Sequence, residues 1–489
     1  MRVLLVSTNR EKLPQPVIPI GVCYVASALE RGGVSTKVLD LCFSRDPMNA
    51  LAKAISCFDP DCIGLSIRNL DNSDYQSPRF YLTEVRPLVQ AVKKFTASPV
   101  FIGGSAVSID PWRALDYLGC NVAVAGEGEI AATSIVEALS RGALPRSEGA
   151  EFRADGKLVV RAKARSVGTL SEAPPRIHRW LNLSGYRRYR VPLPVQSKRG
   201  CAFKCTYCTY GRIEGSAYRL RPAEQVVDEI VEMVRDTDDR FFEFVDSAFN
   251  HPVDHAMAIC EAVIGRGCQV QLQASINPAG CTRELLMMMK RAGFNNLVCT
   301  PDSASDAMLN NLGKGFSSRD LAEVVEAVHA ADLPVLWCFL FGGPGETEMT
   351  VRETLGFVES KLNKRDVAFL AAGIRVYAGT PLVEIATREG LIDPAGDLLH
   401  PTFYFSPSLP PERLAELIRD HLTKRQSYML SSDLRWGFLL SMQRIASLLR
   451  LKTPLWRYAP LVNRLLPRTW STRDSRDIGQ PRDRDGAVG

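Results

Sequence analysis

The chain has 489 residues, of which 46% are hydrophobic and 23% charged, and its formal net charge is +6. This length suits about three domains of roughly 150 residues each, and the composition is that of a globular protein, which excludes wholesale disorder. The charge is too small to indicate a nucleic-acid partner. The first residues lack the apolar run of a signal peptide, and no window reaches the ~18 continuous apolar residues typical of a membrane-spanning helix.

Thirteen cysteines are present, and most stand singly in apolar segments that predict core positions. Their number is odd, only one tight cluster occurs, and no export signal precedes them. These features predict a reducing cytoplasm and metal ligation rather than disulfides.

Residues 1–145 alternate short apolar segments with amphipathic ones. The pattern predicts five strands, at Val3–Val6, Thr36–Leu41, Cys62–Ile67, Val100–Ile102 and Val122–Ala125. Strands that alternate with helices in this way form a doubly wound parallel sheet of the flavodoxin or Rossmann type. Such a sheet binds ligands beyond the carboxyl ends of its strands, so the Gly- and Ser-rich loops there are candidate binding loops.

The rest of the chain is predicted to have three parts. Residues 146–194 are typical of a linker, with a hairpin around Asp155-Gly156. Residues 195–400 resume the alternation, and residues 401–489 predict a helical extension with a disordered tail. The predicted barrel strands are Pro194–Ser197, Phe241–Val245, Gln269–Ser275, Asn296–Thr300, Val335–Phe341 and Ala371–Tyr377. Six such units predict a partial (β/α)6 barrel whose active site lies at the carboxyl ends of its strands.

The strongest signal is the run Cys201-Ala-Phe-Lys-Cys205-Thr-Tyr-Cys208, directly after a predicted strand. It places three thiols on one short loop, and three thiolates can hold a four-iron cluster with one iron open to a small molecule. Zinc is the main alternative, but a structural zinc site needs a fourth Cys or His nearby. The neighbouring histidines, His178 and His251, lie far along the chain.

This run resembles the signature of the radical S-adenosylmethionine (SAM) superfamily, CxxxCxxC with an aromatic residue before the last Cys, supplied here by Tyr207. The resemblance implies a [4Fe–4S] cluster on the three cysteines, with SAM bound to the open iron. It also implies cleavage of SAM to methionine and a 5′-deoxyadenosyl radical. The electron would come from an external donor of the flavodoxin or ferredoxin type.

Further barrel segments resemble the same family. The run 339–347 ends a strand and opens a helix, so its glycines allow close approach and its N–H groups suit a ligand carboxylate; a simple turn is the alternative. The runs 242–250 and 374–382 resemble the second and last strand motifs, although Asp246 could instead cap a helix. Thr300-Pro-Asp302-Ser303 and Gln273-Ala-Ser275-Ile-Asn277 depart from the family pattern at positions that commonly contact SAM. The resemblance implies SAM binding by Tyr207, Asp246, Ser275, Asn277, Gly342, Gly343, Pro344, Gly345, Glu346 and Arg375.

The first 145 residues resemble the cobalamin-binding domain that precedes many radical SAM barrels. The resemblance lies in the runs 19–29, 63–66, 101–105 and 124–129. It implies cobalamin binding by Ile20, Gly21, Ser66, Arg68, Asn69, Gly103, Gly104, Ser105, Gly126, Glu127, Gly128 and Glu129.

No histidine occurs before His178, and the domain lacks the Asp-x-His-x-x-Gly run that supplies an axial ligand to cobalt. Any cobalamin is therefore expected to bind without a histidine from this domain. The loop containing Arg68 resembles one in a methylase of this family, where an Arg lies beneath cobalt without coordinating it. The alternative is that Arg68 pairs with Asp71 or a corrin amide.

Residues 434–470 contain seven Lys or Arg, no Asp or Glu, and three tryptophans. They predict an amphipathic cationic helix, suited to peripheral contact with an anionic membrane or to an apolar substrate. Packing on the barrel with the arginines in water is the alternative.

These expectations imply a cobalamin-dependent radical SAM enzyme of the cytoplasm, with membrane association as a further expectation. The favoured function is methylation, through methylcobalamin, of an unactivated carbon in a small-molecule or lipid substrate. The alternatives are a cyclisation or rearrangement with the same cofactors, and a non-catalytic cobalamin sensor.

Overall fold

A computed structural model of the protein describes residues 1–143, 145, 149–154, 157–160, 170, 174–363, 365–393, 395–422, 427–431 and 455–465. Among these residues, we find no helix that is both long and apolar enough to cross a membrane.

The N-terminal region folds around a seven-stranded sheet in the order β2-β1-β3-β4-β5-β6-β7. Its first five strands are parallel, and β6 and β7 extend it as an antiparallel hairpin. The strands are β1 (Arg2–Ser7), β2 (Ser35–Asp40), β3 (Cys62–Ser66), β4 (Val100–Gly103), β5 (Val122–Val124), β6 (Ala150–Ala154) and β7 (Lys157–Val160). The helices are α1 (Ile20–Arg31), α2 (Pro47–Phe58), α3 (Leu82–Phe95), α4 (Ser105–Ile109), α5 (Pro111–Leu118) and α6 (Gly128–Ser140).

Both faces of this sheet are covered, because its strands are apolar on both sides. Leu4 and Val6 of β1 pack with α2, α3 and α5 on one face, whereas Val3 and Leu5 pack with α1 and α6 on the other. The predicted doubly wound fold is therefore confirmed. The turn of the predicted hairpin, Asp155-Gly156, lies outside the described residues, and its two strands belong to the N-terminal sheet.

The second sheet is parallel, also has seven strands, and runs in the order β18-β15-β14-β13-β12-β11-β8. Its strands are β8 (Leu193–Val195), β11 (Phe241–Phe244), β12 (Gln271–Ile276), β13 (Phe294–Asp302), β14 (Val335–Phe341), β15 (Val367–Ala372) and β18 (Tyr428–Leu430). Short antiparallel pairs are formed by β9 (Lys198–Arg199) with β10 (Arg219–Leu220), and by β16 (Ile374–Arg375) with β17 (Phe403–Tyr404). The helices are α7 (Ile177–Trp180), α8 (Ser184–Arg188), α9 (Tyr210–Ile213), α10 (Ala223–Thr237), α11 (Val253–Gly265), α12 (Arg283–Ala292), α13 (Asp306–Asn311), α14 (Ser318–Ala330), α15 (Glu348–Lys361), α16 (Pro381–Arg388) and α17 (Pro411–Leu422).

Two details of this sheet differ from the prediction. The sixth barrel strand is Val367–Ala372, not Ala371–Tyr377, because Gly373 adopts a positive φ of 80° and redirects the chain into β16. In addition, Tyr428–Leu430 pairs with β15 as a strand that the sequence did not predict. The partial barrel of parallel strands and helices is otherwise confirmed.

The C-terminal extension is described only in part. A 3₁₀ turn, Leu455–Tyr458, and a short helix, Ala459–Leu465, lie against the barrel. Trp456 Nε1 donates to Asn296 Oδ1 at 3.2 Å, and Asn463 Nδ2 donates to the Tyr428 carbonyl at 2.9 Å. In this portion, packing on the barrel is what the structure shows. Most of the predicted cationic helix lies outside the described residues.

Candidate functional site

The three cysteines lie on a loop that follows β9. Its entry is fixed by Gly200, whose φ is 93° and where an added Cβ would stand 2.1 Å from the Ala217 carbonyl oxygen, so no other residue fits without a shift. The Cys201 N–H then donates to the Gly215 carbonyl at 3.0 Å, and the Cys208 N–H donates to the Cys205 carbonyl at 3.2 Å. Cys201 is buried, whereas the other two are half-buried.

The thiols act on one another electrostatically. Burial raises the pKa of Cys205 and raises that of Cys208 to about 11, and the charges of the other cysteines contribute to both shifts. Among the described residues, no group of three or more His, Cys, Asp or Glu side chains is placed to hold a metal ion. The fit is therefore one of donor chemistry: three thiols on one short loop are the soft ligands that an iron–sulfur cluster takes.

Tyr207, between the second and third cysteines, is tied to the end of β13. Its hydroxyl donates to the carboxylate of Asp302, which also accepts from Lys314 Nζ at 2.7 Å. Burial and the adjacent Asp302 raise the pKa of Tyr207, so the phenol stays protonated. Burial, the largest influence, would lower the pKa of Lys314, but the charge and hydrogen bond of Asp302 together with the nearby cysteines offset it, and the pKa is raised. Sequence reasoning missed Lys314; its position between two glycines was the only local signal.

Asp246 is buried and its carboxylate is engaged within the protein. It accepts from the Ser197 N–H at 2.8 Å, the Ser197 hydroxyl at 2.5 Å and Lys198 Nζ at 3.1 Å. It does not cap α11, whose N-cap is Pro252. Its visible role is to join β11 to the segment between β8 and β9, which leads into the cysteine loop.

The glycine-rich run after β14 folds back on itself. Glu346 is buried, and its carboxylate accepts from the N–H groups of Gly342 and Gly343, the latter at 3.1 Å. Burial raises the pKa of Glu346 to about 7. An internal carboxylate therefore accepts from these amides, and the expectation that they serve a ligand carboxylate stays a prediction. Pro344 and Gly345 complete the turn, and the Pro344 carbonyl accepts from Asn311 Nδ2 at 2.9 Å.

The end of β12 is held by backbone contacts. The Ser275 carbonyl accepts from the Phe249 N–H at 2.8 Å, and the Asn277 N–H donates to Asn250 Oδ1 at 2.9 Å. Asn277 Oδ1 accepts from the Ala279 N–H at 2.9 Å. Both predicted SAM-binding residues thus lie at the carboxyl edge of the barrel, as expected, but Asn277 also shapes its own loop.

Arg375 is buried and pairs with the N-terminal domain rather than pointing to an open site. Its Nε donates to Asp71 Oδ2 at 2.7 Å, and three of its other N–H groups donate to the carbonyls of Val376, Leu398 and Leu399. Four of the five guanidinium N–H groups are thereby used. Asp71 is thus engaged by Arg375, and the suggested partnership of Asp71 with Arg68 stays a prediction.

The structure brings the predicted cobalamin-binding residues to one edge of the N-terminal sheet. They lie at the start of α1, after β3, after β4 and after β5, which all end at the same edge because the strands are parallel. Ile20 and Gly21 open α1, and an added Cβ at Gly21 would meet nothing within 4 Å. Ser66 ends β3, and Ser105 Oγ donates to the Arg68 carbonyl at 2.5 Å.

The glycines of this edge have different roles. Gly104 has a φ of 101°, and an added Cβ would stand 2.4 Å from the Ile67 carbonyl oxygen, so the β4 loop requires glycine to pack against the loop containing Arg68 and Asn69. Gly103 ends β4, and Gly126, at φ 84°, donates its N–H to Ser108 Oγ at 2.9 Å. These glycines shape the edge that the prediction assigned to cobalamin.

Two residues of this set serve the domain interface. Glu127 pairs with Arg219 and, at 3.3 Å, with Arg199, whereas Glu129 pairs with Arg199 at 2.5 Å. Gly128 starts α6 between them. Both carboxylates therefore hold the antiparallel pair β9 and β10 against the N-terminal domain. The cysteine loop lies in the segment that connects these two strands.

Arg68 and Tyr210 lie near each other where the two domains meet. Burial lowers the pKa of Arg68, and burial raises the pKa of Tyr210 to about 12. Glu243, half-buried on β11, is also near Arg68: burial raises the pKa of Glu243, and Gln273 and Arg68 oppose that shift. The loop after β3 thus approaches the barrel next to the cysteine loop.

A separate cavity of about 580 Å³ lies at the flank of the barrel, between the segment Pro278–Arg283 and α14. Its walls begin one residue beyond Asn277 and Lys314 and include Cys281, but none of Cys201, Cys205 and Cys208. We therefore place the chemistry at the cysteine loop, where the two domains meet, and not in this flank cavity.

Comparison with known proteins agrees with this architecture. Residues 195–358 match the model of the radical SAM superfamily, and residues 6–136 match the model of the B12 binding domain. The chain is 26% identical over 403 residues to an uncharacterized methyltransferase of Pyrococcus horikoshii, covering 80% of this chain and 84% of that protein. It is 24% identical over 410 residues to a tryptophan 2-C-methyltransferase of Streptomyces laurentii, covering 71% and 68%.

A solved structure shares nearly the whole fold. The radical SAM methyltransferase TsrM of Kitasatospora setae, solved with tryptophan and a SAM analogue, superposes with a TM-score of 0.82 at 21% identity, over 95% of this chain and 99% of TsrM. The same enzyme has been solved with cobalamin and a [4Fe–4S] cluster bound. At this identity the likeness establishes the fold, and the two matched models identify the two domains. The chain joins a B12-binding domain to a radical SAM domain and is a cobalamin-dependent radical SAM enzyme.

Proposed function

We propose that this enzyme transfers a methyl group from SAM, by way of cobalamin, to an unactivated carbon of a small molecule. The observation that carries the proposal is the meeting of the two binding edges. Helix α4, directly after Gly103-Gly104, contacts α9, directly after the cysteine loop. A cofactor on each edge would therefore lie next to this contact and close to the other cofactor.

The protein's own residues would bind, orient and exclude water. Cys201, Cys205 and Cys208 supply thiolates for the cluster, and the loops around Ser66, Arg68 and Gly104 supply the cobalamin cradle. When bound, the cluster and SAM would supply one-electron chemistry and the methyl source, and cobalamin would serve as the methyl carrier. The ion pairs at the domain interface would hold the two binding edges together and so help to exclude water from between them.

The names of the relatives support methylation in particular. The matched proteins of Pyrococcus horikoshii and Streptomyces laurentii are methyltransferases, and tryptophan is the substrate in the TsrM structure. We extend from this to a small-molecule substrate, with a lipid as the second class. An external one-electron donor of the flavodoxin or ferredoxin type completes the proposal.

The test begins with the cluster. Anaerobically reconstituted protein should carry about four irons and an absorbance that dithionite bleaches, because thiolates are the soft ligands placed for iron. Replacing Cys201, Cys205 and Cys208 together with Ala should abolish both signals, while Cys57→Ala, an exposed cysteine elsewhere, should keep them. A triple variant that retained its iron would contradict the proposal.

The reaction itself is tested with methyl-deuterated SAM and a metabolite extract. A product that carries the labelled methyl group on carbon supports methylation. A product with altered bonds and no added label identifies cyclisation or rearrangement instead.

A further inference from the structure

The strands of the barrel sheet are more deeply buried on one side than on the other. On β14, for example, Trp337 and Phe339 belong to the hydrophobic core beneath the surrounding helices. Cys338 and Leu340 alternate with them and are only half-buried. Because successive side chains of a strand point to opposite sides of the sheet, the second set lies away from those helices. We call this second side the inner face.

One half of the inner face is polar and the other half is apolar. Glu243, Gln273 and Asn296 are direct cross-strand neighbours on β11, β12 and β13, and we call them the polar row. The half-buried residues that β14 and β15 contribute to the inner face are apolar or a cysteine: Leu336, Cys338, Leu340, Phe369 and Ala371. A ligand that contacts both halves of this face must therefore be amphipathic.

The hydrogen bonds along the polar row run in one direction. An indole N–H can only donate, and that of Trp456 donates to Asn296 Oδ1 at 3.2 Å. This contact fixes the orientation of the Asn296 amide, whose Nδ2 donates to Gln273 Oε1 at 2.6 Å. The Gln273 amide is left with its N–H groups, and it forms a hydrogen bond with the carboxylate of Glu243. Glu243 is therefore the last acceptor of the row.

The carboxylate of Glu243 retains capacity for a ligand. A carboxylate offers about four acceptor positions, and one amide occupies only one of them. The side chain is half-buried, so it is not sealed within the protein. It also lies near the end of β11, just before Asp246, which is bonded to the segment that leads into the cysteine loop. The remaining acceptor positions favour a ligand group that donates hydrogen bonds and oppose one that carries negative charge.

We propose that the inner face binds an amphipathic small-molecule substrate with an apolar body and a hydrogen-bond-donating head, and that Glu243 determines the specificity for that head. The inference rests on the proposed function and names the substrate class of the same site. A protonated amine suits Glu243 best, because hydrogen bonds between charged groups are the strong ones. Carboxylate and phosphate heads are opposed by its charge. A wholly apolar lipid would leave the polar row without partners, which is costly.

The test compares the binding of two probes, 2-phenylethylamine and 3-phenylpropionate, to the reconstituted enzyme by isothermal titration calorimetry. The probes share an apolar body and differ in the head group. The amine should bind about tenfold more tightly, which is the usual contribution of a hydrogen bond to a charged group. Glu243→Gln keeps the size of the side chain but removes its charge, so the preference for the amine should fall about tenfold.

Glu261→Gln is the matched control, because Glu261 is exposed on α11, and its preference should equal that of the wild type. Trp456→Phe removes the donor that orients Asn296 and should reduce the preference by a smaller factor. This second variant decides the matter should Glu243→Gln not fold, and a wild-type preference in it would then overturn the inference.

The inference is also overturned if the wild-type enzyme prefers 3-phenylpropionate or binds neither probe, or if Glu243→Gln keeps the full preference for the amine. Failure of the proposed function has a different signature. In that case no product would carry the labelled methyl group of SAM, although the preference for the amine and its dependence on Glu243 remained.

Discussion

Asp71→Asn should destabilise the protein strongly, because it removes the charge that compensates Arg375 across the domain interface. The two side chains are 0% and 3% exposed and their charged atoms lie 2.7 Å apart. In the wild type, Asp71 Oδ1 accepts a hydrogen bond from the Ser73 N–H at 2.8 Å. An Asn side chain has the same shape as Asp, and its amide oxygen can still accept this hydrogen bond. The change therefore isolates the loss of charge from the loss of packing.

The magnitude follows from burial. Removing one partner of a buried ion pair costs about 3–5 kcal/mol, because the other charge remains buried without compensation. Three backbone carbonyls still accept from Arg375, so we expect the lower end of this range, about 3 kcal/mol. Replacing both members with apolar residues, Asp71→Leu with Arg375→Met, should recover much of the loss.

The measurement is urea unfolding followed by tryptophan fluorescence, with Glu323→Ala as the control. Glu323 pairs with Arg319 at 3.2 Å, but the two side chains are 65% and 87% exposed, so we expect a change below about 1 kcal/mol. A loss for Asp71→Asn no larger than that of the control would refute the reasoning. Arg375 would then be available to a ligand, as the sequence predicted.

Three further outcomes are expected. Bound cob(II)alamin should give an EPR spectrum without the nitrogen splitting of an axial imidazole; splitting that survived replacement of every histidine would identify the cofactor's own base as the ligand. Arg68→Ala should slow methyl loading of cobalamin from SAM more than Arg68→Lys, since the lysine keeps a positive charge; an unchanged rate for the alanine variant would restrict Arg68 to a structural role. Glu346→Gln should remove a pH dependence of stability. Burial raises the pKa of Glu346 from 4.5 to about 7, so the folded state binds the proton more tightly than the unfolded state does. The free energy of unfolding of the wild type should therefore fall by on the order of 3 kcal/mol as the pH rises from 4.5 to about 7. Urea titrations across this range should show a fall in the wild type and not in the variant.

Local sequence patterns predicted most of the fold. The five N-terminal strands and the first five barrel strands were placed within a few residues, because each is a short apolar run between turn signals. The sixth strand was misplaced because Val367–Ala372 and the following run are both apolar, and only the backbone of Gly373 shows where the chain turns. Tyr428–Leu430 was missed because three residues carry too little periodicity.

The sequence predicted which kinds of binding residue the candidate site contains, but not which residues contact one another in it. The cysteine loop was identified because its spacing is local. Arg375 and Asp71 lie 304 positions apart in the sequence, and nothing local reveals that they pair. The same holds for Trp456, whose indole orients Asn296, which in turn donates to Gln273 at 2.6 Å. A polar residue near a strand end predicts a site, but its partner depends on tertiary packing.

These corrections share a physical pattern that bears on how the enzyme works. Three charged residues that the resemblance assigned to ligand binding instead form ion pairs between the two domains: Arg375, Glu127 and Glu129. Each is almost fully buried, so separating the domains would expose or strand several charges at once, which is costly. These ion pairs therefore help to hold the two domains together. We expect recognition of cobalamin and substrate to depend on other residues near the cysteine loop, such as Arg68 and Glu243, and specificity should be sought there.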